Sequence, residues 1–182
     1  MSLPSPWRQF FPGILALDTQ QQVWLDSAAT AQKPQAMIDS LCQHYKNTVA
    51  NVHRAQHQPG ERATRSFEAA RKDITHWLQA DPQDVLIFTK GTTESINLLC
   101  QALAHHLQAG DEILISAYEH HANLLPWQQL AKNLNLTLTV LPMEPTGHLD
   151  IEYAIAQRST RSRILAISAL SNVIGHSQNL QP

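Results

Sequence analysis

The sequence predicts an α/β domain with a mostly parallel sheet flanked by helices. From residue 85 onward, short β-branched or leucine-rich runs alternate with longer segments whose apolar residues recur at three- and four-residue steps. Such alternation is the pattern of a sheet covered by helices on both faces. With 182 residues, 43% hydrophobic and 15% charged, the chain can bury a real core and does not read as disordered. It contains no internal repeat or low-complexity tract that would suggest a solenoid or a linker.

The elements follow in order. Residues 1–22 are broken by Pro4, Pro6 and Pro12, end in a Gln-rich stretch, and read as an N-terminal arm. Val23–Leu25 reads as a short strand closed by Asp26 and Ser27. From Pro34 to Tyr45, the residues Met37, Ile38, Leu41, Cys42 and Tyr45 form one face of a helix, with Pro34 tolerated in its first turn. Residues 51–60 end in the breaker pair Pro59-Gly60 and read as loop. A second helix covers 62–78 through Phe67, Ala70, Ile74, Trp77 and Leu78. Strands are expected at 85–89, 112–116, 136–141 and 163–168, and helices at 95–107, 124–134 and 151–156.

Composition excludes several function classes. A formal charge of -2 with scattered basic residues does not supply the clustered Lys and Arg of a nucleic-acid surface. No apolar run approaches the roughly 20 residues of a membrane span. The N-terminus lacks the basic-then-apolar order of a signal peptide, so a cytoplasmic location is expected. Cys42 and Cys100 sit in helical patterns without a CxxC partner and read as buried small hydrophobes.

In sheets of this kind ligands gather at the carboxyl ends of strands. Three turns there carry candidate chemistry. In Lys90-Gly91-Thr92-Thr93-Glu94-Ser95, glycine permits close backbone approach and the next amides point outward at the positive end of a helix dipole. Two threonine hydroxyls add donors, which suits a phosphate. Glu94 would repel an anion unless it turns away or caps the first turn. An ordinary capped helix start fits the same residues, and the Gly-Lys-Ser/Thr ending of a P-loop is absent. In Tyr118–Asn123, the adjacent His120 and His121 point in different directions, which makes them a poor metal pair. One ring can lie against a planar ligand while the other packs or caps, although a lone histidine at a helix start is more often structural. In Ser171–Gly175, Asn172 can donate to a ligand oxygen, although the sequence is also that of a common turn. Ten histidines invite a metal reading, but His53 and His57 have no evident third ligand and His105-His106 sit at a helix end, so no metal is expected.

Together these segments resemble the class V aminotransferase family of fold-type I pyridoxal-phosphate (PLP) enzymes, and within it the N-terminal portion of the group II cysteine desulfurases and selenocysteine lyases. The carrying segments are Leu25–Thr30 with Gln32-Lys33-Pro34, Asn51-Val52-His53-Arg54, Gly91–Asn97, Glu119–Asn123, Pro126-Trp127 and Ser171-Asn172-Val173. The resemblance implies a partial fold-type I large domain over residues 23–182, preceded by the arm at 1–22. It implies that Thr92 and Thr93 bind the cofactor phosphate, and that His120 stacks on the pyridine ring and serves catalysis. Asn172 would contact the ring's phenolic oxygen, and His53 would lie in a loop near substrate and dimer contact. It also implies a homodimer that converts L-cysteine to L-alanine and passes sulfur as a persulfide to an acceptor protein.

The family's pyridinium-pairing Asp, its Ser-x-His-Lys segment with the Schiff-base Lys and its persulfide-forming Cys all fall after the last residue here. The chain therefore resembles the first half of the enzyme, expected to be inactive alone and to bind PLP weakly or not at all. Strand edges and helix faces are expected to be left uncovered. Another class V activity, aminotransferase or kynureninase-like, and a non-enzymatic phosphate-binding or interaction module are the competing readings.

Overall fold

The structure, a computed structural model, describes residues 5–47, 49–54 and 56–178. The chain divides into two compact units, Met1–Leu86 and Ile87–Pro182.

The first unit is helical: a 3-10 turn at Pro6–Phe10, then α1 (Pro12–Thr19), α2 (Gln35–Asn47) and α3 (Gln58–Trp77). Pro6 and Pro12, read from sequence as breaks, occupy the first turns of the two N-terminal helical segments. A proline costs nothing there, because no intrahelical partner awaits its missing N–H. The same principle revises the loop at 51–60. Pro59 and Gly60 lie inside the first turn of α3, where His57 caps the helix by accepting from the Gly60 N–H at 3.2 Å. Val23–Leu25 forms no strand, and Leu25 is 90% exposed. Apolar content favours a strand only where a ladder partner exists, and these residues have none in the described structure.

The second unit holds the sheet. β1 (Glu112–Ser116), β2 (Thr137–Leu141) and β3 (Ser162–Ala166) lie in the order β2-β1-β3, and both pairings are parallel. Helix α4 (Thr92–Leu103) precedes β1, α5 (His121–Leu134) connects β1 to β2, and α6 (Ile151–Gln157) connects β2 to β3. Because β1 is central, its side chains bury on both faces. Ile113 and Ile115 pack with Cys100 of α4 and with Trp127, Leu130 and Ala131 of α5. Leu114 points the other way, toward Leu141 and Leu149 with Ala154 of α6 beside them. This two-residue alternation is what strand geometry imposes. Burying each isoleucine contributes about 1.5–3 kcal/mol.

The amino ends of β1 and β3 are fastened by a buried carboxylate. Asp111 accepts from the Gln108 N–H at 2.9 Å and faces the Nε atoms of Arg163 at 3.4 Å and Arg161 at 3.8 Å. The backbone bond from Gln108, opposed by burial and helped by the two arginines, holds its carboxyl below the ordinary aspartate value. Arg163 is the extra residue of a register irregularity between β1 and β3, a bulge that re-aims one side chain.

Residues 85–89, expected as a strand, pair with no ladder, and Val85 is 78% exposed. Apolar surface is also open beside β3, where Leu165 is 55% exposed and an open groove of about 650 Å³ runs past Leu114, Ile151, Ile155 and Leu165. The uncovered faces anticipated from the sequence are thus present among the described residues. No helix among them is long and apolar enough to cross a membrane.

The cysteines give a direct check on this packing. Cys100 is buried and its thiol is pushed up to about 11 by desolvation, whereas Cys42 is exposed on α2. Thiolate is the reactive form. A disulfide reagent at mildly alkaline pH is expected to titrate one thiol rapidly in the native chain and both in denaturant. Equal rapid reaction of both native thiols would contradict the packing of α4 against β1.

Candidate functional site at the carboxyl edge of the sheet

Chain direction brings three loops to one edge. The turn after β1 and the loop after β3 lie at the carboxyl ends of adjacent parallel strands. Helix α4 feeds through residues 104–111 into the amino end of β1 and packs against α5. Its N-terminus therefore points back toward the carboxyl edge. Connections over opposite faces of neighbouring strands leave their loops apart at that edge, where ligands of open α/β sheets bind.

The first loop leads into α4. Gly91 adopts φ 157°, ψ 177°, a region open essentially to glycine. A Cβ there would meet nothing within 4 Å, so backbone conformation rather than crowding calls for glycine. The Ser95 N–H makes the first helical bond, to the Gly91 carbonyl at 3.1 Å. The amides of Thr92, Thr93 and Glu94 precede it and have no partner within the helix. Both threonine side chains are exposed and make no hydrogen bond among the described residues. Glu94 turns back, as its position required, and accepts from the Lys90 N–H. That removes its carboxylate from the amides it would otherwise block. Open amides, two hydroxyls and no carboxylate in front of them form a donor set that fits a phosphate dianion.

The second loop, after β1, places His120 at the N-cap of α5. Its Nδ1 accepts from the Ala122 N–H at 3.1 Å. A neutral imidazole with Nδ1 accepting carries its proton on Nε2, so this cap fixes both ring orientation and tautomer. The His121 ring lies 6.3 Å away at 48°, so the two rings do not act as a parallel pair. In the third loop, after β3, the Ser171 hydroxyl accepts from Val173 and Ile174 N–H groups at 3.2 and 3.3 Å. Asn172 sits in that turn with its side chain exposed.

Glu119 joins the second loop to the third. One carboxylate oxygen accepts from Ser116 Oγ at 2.6 Å and the Ser168 N–H at 2.7 Å. The other accepts from Asn123 Nδ2 at 2.8 Å and Ser168 Oγ at 2.6 Å. Burial pushes this carboxyl up, but the bonds from Ser116, Ser168 and Asn123 outweigh burial and hold it below the ordinary glutamate value of 4.5. The sequence reading gave Glu119 no role. Its signal was an acid three residues past a buried strand, directly before the two histidines.

His53 belongs to the first unit. It adopts φ 67°, its N–H donates to Thr64 Oγ1 at 3.0 Å, and its Nε2 lies 3.0 Å from Glu68 Oε1. Its ring meets Phe67 edge-on at 5.6 Å. Among the described residues no three His, Cys, Asp or Glu side chains gather as a metal site would require.

An open parallel sheet with an exposed helix start and a cap-oriented imidazole beside it defines an α/β fold, and the sequence places it. The chain belongs to the Aminotransferase class-V family, whose pattern matches residues 23–182. It is 57% identical over 175 residues to a "Probable cysteine desulfurase" of Pseudomonas aeruginosa, covering 96% of this chain and 44% of that protein. It is 43% identical over 157 residues to a "Cysteine desulfurase" of Yersinia pestis, covering 86% of this chain and 39% of that one. Among solved structures, a cysteine desulfurase from Thermococcus onnurineus superposes with a TM-score of 0.86 at 32% identity, over 98% of this chain and 43% of that one. The cysteine desulfurase CsdA from Escherichia coli gives 0.80 at 38% identity, over 99% and 44%. The sheet is thus of the fold-type I kind, and the chain spans less than half the length of these relatives.

The lowered carboxyls predict acid sensitivity. A group whose folded pKa lies below its unfolded value contributes stability fully present above the unfolded value and lost as pH falls through the folded one. Glu119, Glu112 and Asp111 all shift in this direction. Urea midpoints are expected to be level near neutral pH and to fall below about pH 4.5, the ordinary glutamate value. Glu119→Gln should start about 1–3 kcal/mol lower at neutral pH, because a half-buried donor is left facing a donor, and lose less on acidification.

Proposed function

We propose that this chain is the phosphate- and ring-binding portion of a PLP-dependent cysteine desulfurase, an enzyme that converts L-cysteine to L-alanine and passes the sulfur on as a persulfide. The observation that carries the reading is the open helix start at Thr92-Thr93 on the same sheet edge as the oriented His120 ring, in a chain whose relatives are named cysteine desulfurases.

In this reading Thr92 and Thr93 hold the cofactor phosphate through amides and hydroxyls, aided by the α4 dipole. His120 lays a face against the pyridine ring, and its Nε2 is the atom available to hold a proton, since Nδ1 is committed to the α5 cap. Asn172 donates to the ring's phenolic oxygen. PLP, when bound, supplies the electron sink that makes bonds at the substrate's α- and β-carbons labile. His53 belongs to the loop near the substrate and a second subunit, and the assembly is a homodimer with a sulfur-accepting protein as partner. The Schiff-base Lys and the persulfide Cys belong to the part of the relatives' length that this chain does not span. Cys100, buried and hard to deprotonate, is unsuited to carry sulfur. Two free cysteines and the lack of a membrane-spanning helix among the described residues support a cytoplasmic setting. The relatives' names favour this reaction over an aminotransferase or kynureninase-like one.

Titrating the chain with inorganic phosphate and with PLP, followed by amide shifts of residues 91–95, tests the reading. PLP is expected to bind weakly but more tightly than phosphate. Thr92→Val with Thr93→Val should weaken both ligands about tenfold or more, since hydrogen bonds to charged groups are lost. His120→Ala should weaken only PLP, by about 2–10-fold, the worth of one ring stack. Equal affinity of the wild type for both ligands would leave a phosphate-binding module in place of the proposed enzyme portion.

A further inference from the structure

We infer that Glu119 is a positioning residue that sets the spacing between the His120 ring and the loop carrying Asn172; this rests on the cofactor reading above. Among the described residues, its bonds to Ser168 are the hydrogen bonds that join the β1–α5 turn to the segment following β3. His120 is the next residue along the chain, and Asn172 lies four residues beyond Ser168. One carboxylate therefore fixes two groups that would face opposite parts of the same ring.

The network also dictates that this group be a carboxylate. The Ser168 backbone N–H can only donate, and it meets Oε1. On the other side Asn123 presents its NH2 group to Oε2, because its Oδ1 is taken by the Trp127 indole N–H at 3.0 Å. The indole N–H is donor-only, so Asn123 cannot flip. Both oxygens of residue 119 thus face obligatory donors. A glutamine, which has one oxygen and one NH2, mismatches on one side in either orientation. Replacing Trp127 by phenylalanine releases Asn123. Its amide can then turn its oxygen to the glutamine NH2, and Ser168 Oγ can rotate to accept.

The experiment compares wild type, Glu119→Gln, Trp127→Phe and the double variant, each by PLP and inorganic phosphate titration and by 15N shifts of the His120 imidazole without ligand. Glu119→Gln is expected to keep its phosphate affinity, because Glu119 makes no bond to the α4 start. Its preference for PLP over phosphate should fall about 2–10-fold, the worth of a misplaced ring stack, and His120 should show mixed tautomers. Trp127→Phe alone should resemble wild type, and the double variant should regain both the preference and the single tautomer. Retention of the preference and the tautomer in Glu119→Gln overturns the inference. So does a double variant that neither folds better than the single one nor recovers the tautomer. If the wild type itself shows no PLP preference, the cofactor reading fails, and the ligand-free tautomers still decide whether Glu119 positions the loop.

Discussion

A carboxylate at each end of the β1–β3 pairing, Asp111 buried and Glu119 half-buried, fastens the central strand, and the carboxyl edge depends on the second of them. Parallel strands are not held by a tight turn, so their relative placement must come from packing and side-chain bonds. At the amino end, Asp111 faces Arg161 and Arg163 across the pair. At the carboxyl end, Glu119 collects neutral donors from β1, the segment after β3 and α5. The difference in chemistry matters. An arginine beside Glu119 would bring a mobile positive charge to the edge where the proposed ligand sits, whereas serines and an amide fix geometry without adding charge.

Much of the sheet was legible because burial and periodicity coincide there. Residues 112–116 read as a strand and are one, since every position but the first is buried. Helix starts were read late for a shared reason. The first turns of α3, α4 and α5 are built from caps and exposed polar residues, such as His57, Gly91 to Thr93 and His120 to Asn123, so apolar periodicity begins only after them. The first turns of α4 and α5, whose helical start periodicity missed, are also where Thr92, Thr93 and His120 lie. Residues 23–25 and 85–89 failed the opposite way, because their apolar composition shows no sign of whether a ladder partner is present.

The candidate residues divide similarly. Thr92, Thr93, His120 and Asn172 were legible as donors or rings; the structure places Thr92 and Thr93 in the first turn of α4, His120 at the α5 N-cap and Asn172 in the turn after β3, all in one unit. Glu119 was not legible, because its meaning lies in Ser168, 49 residues away. Pairing at that separation appears in a fold and not in a motif. Glu94 shows the complementary case: its conflict with an anion was visible in sequence, and the backbone resolves it through a local bond to Lys90.

The His120 cap explains how one imidazole can serve both fold and site. An N-cap uses a side-chain acceptor in the plane of the ring, while stacking uses the face of the ring, so the two interactions do not compete. The cap also commits Nδ1 as an acceptor, leaving the Nε2–H as the ring's free hydrogen-bond donor. A serine or aspartate would cap α5 as well, but would offer no face to a planar ligand. Histidine is the side chain that satisfies the helix start and still presents a flat surface outward. Structural and functional readings of His120, which the sequence left as alternatives, are therefore compatible in the same conformation.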